Sequence, residues 1–228
     1  MKDYPALDDL RADFDHLADF DAGTWNHSSA YHRFLLKHLQ QPCRTALEIG
    51  CGSGAFARLL AQHSESVLAL DLSPRMISLA IERSTGFQNI DFRVADGLSY
   101  PLPTTGFDCV ASIATLHHLD LEIALTRLVE LLRPGGVLLV LDLYRASSVT
   151  DFLISALALP ANLFLRVWHG DIKRKSKLIR KAWSAHQCHE RLVTMAQARR
   201  IGAAILPDAR LRRHLLWRYS IIWHKPNA

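Results

Sequence analysis

Three glycines in five residues, Gly50, Gly52 and Gly54, stand between a short apolar run at 46–49 and a helical pattern at 55–61. Without side chains there, the backbone can turn sharply and let a ligand approach it closely. A helix that starts at such a turn also offers N–H groups that the helix itself does not use. The pattern downstream has the same grain. Short apolar runs at 67–70, 90–94, 109–113 and 137–143 alternate with helical patterns at 74–84 and 121–132. Strand and helix in strict alternation imply an α/β fold, a parallel sheet covered on both faces. Its crossovers should be right-handed. With 228 residues the chain is long enough for one well-buried domain of this kind and too short for two.

The flanks read differently. Leu7, Leu10, Phe14, Leu17 and Phe20 lie at threes and fours, the spacing of one helix face, and 21–23 break it. A second helix is expected from Ser28 or Ser29, either of which can cap it, through Tyr31, Phe34, Leu35 and Leu39 to the stop at Pro42. After Leu143 the alternation lapses. Residues 152–168 predict an apolar helical insertion broken at Pro160, followed by the basic run Lys173-Arg174-Lys175-Ser176-Lys177 to Arg180-Lys181. A helix is predicted over 194–203 and an antiparallel hairpin over 210–224. The expected organisation is a single domain over 1–228, with N-terminal helices at 1–42 and a core at 43–145. A helical lid insertion at 146–206 and the hairpin at 207–228 complete it.

The composition, 49% hydrophobic and 21% charged, is that of an ordinary globular chain. The most apolar stretch is interrupted by Asp151, Pro160, Asn162 and Arg166, so no run of membrane-spanning length is expected. The N-terminus opens on Lys2, Asp3 and Tyr4 rather than an apolar signal segment. Cys43, Cys51, Cys109 and Cys188 are scattered, with no CxxC pair and no metal-ligand spacing, which predicts free thiols and a cytoplasmic location. Charge is uneven. Between Arg166 and Arg218 stand 14 Lys and Arg against three acids, Asp171, Glu190 and Asp208, although the whole chain carries only +5. Either the C-terminal third meets an anionic partner, a carrier protein or an anionic surface, or it presents a solvated basic face.

The glycine turn alone leaves two readings, since Gly50-x-Gly52-x-x-Ala55 also satisfies the relaxed dinucleotide fingerprint of dehydrogenases. Three acids separate them. Glu48 precedes the glycines and places a carboxylate at the strand's end, where a cationic ligand would be held and a pyrophosphate repelled. Asp71 ends the second strand, where a carboxylate can accept hydrogen bonds from ribose hydroxyls. Asp96 ends the third strand and can receive an adenine amine.

With these in place the chain resembles the class I S-adenosylmethionine-dependent methyltransferases, in their small single-domain, type 11-like form. The resemblance rests on Leu47-Glu48-Ile49-Gly50-Cys51-Gly52-Ser53-Gly54, Asp71-Leu72-Ser73-Pro74-Arg75-Met76 and Ala95-Asp96-Gly97. It continues through Phe107-Asp108-Cys109-Val110 and Leu116-His117-His118-Leu119 to Leu132-Arg133-Pro134-Gly135-Gly136, in order across residues 45–143. It implies a Rossmann-like, seven-stranded, mostly parallel sheet in the order 3-2-1-4-5-7-6, with the C-terminal hairpin supplying the last two strands. It implies S-adenosyl-L-methionine as cofactor, with Glu48 near the methionine amine and Gly50, Cys51, Gly52 and Gly54 along its backbone. Asp71 and Leu72 would then lie at the ribose, and Asp96 and Gly97 at the adenine, with Met76 on the adenine face and Ala114 just past the fourth strand. Tyr31 and His32 would close over the methionine end.

Methyl transfer from a sulfonium needs positioning first. A base is needed only where the acceptor must lose a proton. His117 and His118, just past the fourth strand, are the candidate bases, with loop anchoring as the alternative role. Tyr144, Trp168, Trp183 and His186 are candidate acceptor contacts around the lid. The expected activity is methyl transfer to a small apolar metabolite that is acidic or phenolic. RNA is the alternative acceptor, prompted by the basic C-terminal third, but Ile113-Ala114-Thr115-Leu116 stands where base-amine methylases carry an Asn-Pro-Pro-Tyr-type tetrapeptide. A non-catalytic assembly protein that keeps cofactor affinity is the other alternative. A dehydrogenase fits least, because no second catalytic domain follows.

Overall fold

The computed structural model describes residues 7–21, 23, 26–168, 183, 184, 186 and 190–227, the side chain of Arg166 excepted. Helix α1 (Leu7–Ala18) buries Leu10 and Leu17 and carries Asp8 and Asp9 in its first turn, where the helix dipole favours them. A 3-10 turn at Ser29–Tyr31 leads into the short α2 (His32–Leu36). Then come β1 (Cys43–Ile49), α3 (Ala55–Ala61), β2 (Ser64–Asp71), α4 (Pro74–Glu82), β3 (Ile90–Val94) and β4 (Phe107–Ile113). They are followed by α5 (Leu121–Leu131), β5 (Leu132–Leu143), α6 (Val149–Trp168), α7 (Met195–Ile205), β6 (Arg210–Arg213) and β7 (Arg218–His224). Helix starts are chemically marked. Ser73 caps α4 by accepting from Met76 N–H ahead of Pro74, Asp120 caps α5, and Thr194 with Gln197 forms a capping box at α7.

The seven strands form one sheet in the order β3-β2-β1-β4-β5-β7-β6, as expected. β1 to β5 pair in parallel, and β7 runs antiparallel to both β5 and β6. Alternate side chains feed two cores. Leu47, Val110, Leu138 and Val140 pack under α5 and α7, while Ala46, Ala69, Ala111, Leu139 and Leu141 pack under α2 and α3. Because β1, β2, β3, β4 and β5 are parallel, their carboxyl ends share one edge, and Glu48, Asp71, Ala95 and Ala114 come to it from far apart in the chain.

Three expectations need correcting. α6 runs unbroken through Pro160. Pro160 is exposed, so the ring meets solvent, and the single bond it denies the helix is carried by the 20 residues around it. The strand expected over 137–143 begins earlier, at Leu132, so that β5 takes in Pro134-Gly135-Gly136, with a register shift against β4 between Phe107 and Cys109. The second helix divides into the 3-10 turn and the short α2, ending at Leu36 rather than running on toward Pro42, and the other elements lie within three residues of their expected bounds. Among the described residues Cys43, Cys51 and Cys109 are buried thiols, and Cys188 lies outside them. No helix among the described residues is long and apolar enough to cross a membrane.

Candidate functional site

The glycine turn is stapled to the next strand. Gly50 N–H and Cys51 N–H both donate to Leu70 O, at 2.8 and 2.9 Å, Gly52 N–H donates to Asp71 Oδ2 at 2.8 Å, and Gly54 N–H to Cys51 O. The conformation requires glycine at Gly50, with φ +74°, where a Cβ would come within 2.1 Å of Thr115 Oγ1. At Gly52, φ +50°, a Cβ would meet nothing within 4 Å, so the turn leaves open space there for a ligand to approach the backbone. The N–H groups of Gly50, Cys51, Gly52 and Gly54 are thus engaged within the protein.

What faces this turn is negative charge. Glu48 is 1% exposed, and its Oε2 has no hydrogen-bond partner among the described residues. Burial pushes its carboxyl well above the usual carboxylate range, Asp71 adds to the rise, and the Ala57 N–H and Arg58 oppose it. Asp71 is raised as well, first by burial, against the N–H bonds from Ser73 and Gly52. Burial raises the Cys51 thiol too, with Asp71 and Glu48 adding. Buried carboxylates without a counter-ion call for a cationic ligand or a proton. The α-ammonium of S-adenosylmethionine is such a ligand, and the orphaned Glu48 Oε2 beside the open Gly52 fits it.

Helix α1 covers the start of α4. Asp15 accepts from Ser73 Oγ and from Arg75 N–H, and Asp19 pairs with Arg75, fastening α1 over the start of α4. A cavity of about 240 Å³ lies beneath α1, lined by Leu7, Leu10, Asp96, Leu98, His118 and Leu119. Asp96 accepts from Leu98 N–H and Ser99 Oγ, which hold its carboxylate at the cavity wall. Gly97 is buried, with Ile49 so close that a Cβ would collide with it. Leu72 and Met76 are half-buried at the start of α4, and Ala114 takes φ +53° just past β4, its N–H donating to Leu141 O at 2.7 Å.

Past β4, His117 is buried against a carboxylate. Its Nδ1 lies 2.6 Å from Asp142 Oδ1, with both side chains buried, and Asp142 also accepts from Leu143 N–H. With Nδ1 facing a carboxylate, a ring proton sits on Nδ1. The His118 ring lies tilted 4.1 Å from the His117 ring and 4.7 Å from that of His186, while Phe14 of α1 meets His118 and His186 edge-on. Trp183 meets His186 edge-on at 5.9 Å. Four of the expected residues, His117, His118, Trp183 and His186, thus come together. Trp168 does not join them: it is 73% exposed on the outside of α6, stacked on Phe164.

The remaining candidates take other places. Tyr144 is buried under the Arg213 guanidinium, and its hydroxyl has no hydrogen-bond partner among the described residues. Tyr31 donates to Leu215 O at 2.7 Å. His32 packs on Phe56, and burial lowers its imidazole pKa to about 4, so it is neutral near pH 7. Asp142, Phe14, Asp15 and Thr115 were not singled out from sequence. Asp142 carried a signal, a lone acid inside the apolar run 137–143. Phe14 read as helix packing, and nothing local marked Asp15 or Thr115.

Comparison with known proteins agrees with this geometry. A family model described as a methyltransferase domain matches residues 47–140. An uncharacterized methyltransferase of Mycobacterium bovis is 30% identical over 211 residues, covering 89% of this chain and 98% of the relative. Among solved structures, N-methyltransferase NodS of Bradyrhizobium japonicum, in complex with S-adenosyl-L-homocysteine, superposes with a TM-score of 0.62. It is 19% identical and covers 97% of this chain and 98% of its own. Geranyl diphosphate C-methyltransferase of Streptomyces coelicolor superposes with a TM-score of 0.64 at 13% identity, covering 98% of each chain.

Proposed function

The chain belongs to the class I S-adenosylmethionine-dependent methyltransferases, and from that premise we propose that its acceptor is a small apolar metabolite that gives up a proton, a phenol above all. The observation that carries this is the buried His117–Asp142 pair. When bound, S-adenosylmethionine supplies a methyl group at a sulfonium, open to in-line attack. Glu48 would hold the cofactor's ammonium, Asp71 its ribose and Asp96 its adenine amine, with Gly50, Cys51, Gly52, Gly54, Leu72, Met76, Gly97 and Ala114 lining the rest. Tyr31 and His32 would close the methionine side, and the Tyr31 bond to Leu215 O and the packing of His32 on Phe56 support a role in holding the wall.

His117 would take the acceptor's proton on Nε2 as the oxygen loses it. Asp142 keeps the tautomer that makes this possible and stabilises the imidazolium that forms. General-base assistance of this kind contributes about 10²–10⁴-fold. His118, His186, Trp183 and Phe14 give the acceptor aromatic walls, and Tyr144 is a further contact. A carboxylic acid, ionised before it arrives, would need no base, so the dyad favours the phenolic branch.

The test is turnover of methyl-labelled S-adenosylmethionine on paired phenols and carboxylic acids of matched size. The wild type should prefer the phenols, and His117→Ala should slow them about 100-fold or more while S-adenosylhomocysteine affinity stays unchanged. Phenols ignored by the wild type, or methylated equally well by His117→Ala, would overturn the reading.

A further inference from the structure

α6 is a surface helix turned inside out. Asp151, Ser155, Ala158 and Asn162 fall at i, i+4, i+7 and i+11, one helical face, and all point to the protein. Asp151 pairs with Arg213 at 3.0 Å, Ser155 accepts from Trp217 Nε1 at 3.1 Å, Ala158 is fully buried and Asn162 bonds His27 at 2.8 Å. The opposite face presents Phe152, Leu153, Leu157, Leu163, Phe164 and Trp168, each more than 60% exposed, and carries no charged side chain among the described ones. Surface helices ordinarily do the reverse, burying apolar residues and wetting polar ones. A contiguous apolar face over five helical turns is far beyond the scattered exposed leucines of a soluble surface.

We propose that this face of α6 docks on the surface of an anionic lipid bilayer. The charge that follows it in the chain selects this occupant. Lys173, Arg174, Lys175, Lys177, Arg180 and Lys181 put six cations into nine positions without an acid. These residues lie outside the described ones and enter only through their charge and their tether. Lys173 follows Trp168 by five residues, so it stays within about 18 Å of the helix end whatever path the chain takes. An apolar helix face with cations tethered to its end matches acyl chains lying under anionic headgroups. The helix lies on the bilayer rather than crossing it, because Asp151, Ser155 and Asn162 bind its inner face to the protein body. In that position it delivers the enzyme to the phase in which apolar acceptors concentrate, though the docking itself does not depend on which acceptor is used.

Flotation of the full-length protein tests this, with vesicles of phosphatidylcholine alone and of phosphatidylcholine containing phosphatidylglycerol. The protein should float with the anionic vesicles, and raising the salt should weaken binding about tenfold, as expected for screened surface charge. Leu157→Asp with Leu163→Asp should abolish flotation, and Lys173→Glu with Lys175→Glu and Lys177→Glu should weaken it at least tenfold. Unchanged S-adenosylhomocysteine affinity in both variants would show that they fold. Three results would each overturn the proposal: no flotation of the wild type, equal flotation on neutral vesicles, or full flotation of the Leu157/Leu163 variant. A dimer that the same variant disperses, without vesicle binding, would assign the face to a second copy instead and overturn it equally.

Discussion

Glu48→Gln separates what a buried acid does for the ligand from what it does to the fold. Glu48 is buried, its Oε2 lacks a partner, and Asp71 stands close enough to raise its pKa further. Glutamine keeps the shape and one acceptor but gives up the charge. A hydrogen bond to a charged group contributes about 1.5–3 kcal/mol, so S-adenosylhomocysteine affinity, read by calorimetry, should fall roughly 10- to 100-fold. Stability should move the other way with pH. A carboxyl whose folded pKa lies above its unfolded value binds its proton more tightly when folded. Its stabilising contribution is therefore complete below the ordinary carboxylate range and is lost as pH rises toward the folded value. The ligand-free wild type should accordingly lose melting temperature as pH rises above about 5. The Gln variant should show a shallower fall, not a flat one, because Asp71 is raised in the same direction. Cofactor binding to the wild type should release protons in that window. Equal affinity in the two proteins, or a Gln variant less stable than wild type at pH 8, would refute the reasoning.

Other substitutions probe neighbouring claims. Gly50→Ala drives a Cβ into Thr115 at positive φ and should cost at least about 3 kcal/mol of stability, whereas Gly52→Ala should cost about 1 kcal/mol yet weaken S-adenosylhomocysteine binding. Thermal melts and calorimetry of the pair distinguish the two roles. Asp142→Asn should lower kcat on a phenol about as much as His117→Ala does, and the double variant should be little worse than either, since the two act as one unit. Asp151→Ala leaves the half-buried Arg213 without this partner and should cost about 1–3 kcal/mol, a melting shift of roughly 2–12 °C.

Much of this was legible in the chain. Alternation of apolar runs and helical patterns predicted the parallel sheet, and the hairpin after Pro207 predicted its antiparallel edge. Both patterns report local periodicity, which depends on residues a few positions apart. Pro160 misled because a proline's cost is local, while the helix around it is held by contacts from Arg213, Trp217 and His27, far away in sequence. At the site, Glu48, Asp71 and Asp96 were readable since each ends a strand beside a recognisable turn. The partner of His117 was not, because Asp142 meets it only when β4 and β5 lie side by side.

By itself the sequence determined the fold and the cofactor, since strand ends, glycines and acids are placed by short-range spacing. The tertiary structure alone decided how the turn's N–H groups are used. It also decided which histidine has a carboxylate behind it, and which face of α6 looks outward. Each of these depends on side chains brought together across the sheet or on a helix's rotation about its axis. Helical spacing records that rotation only up to the choice of which face is buried.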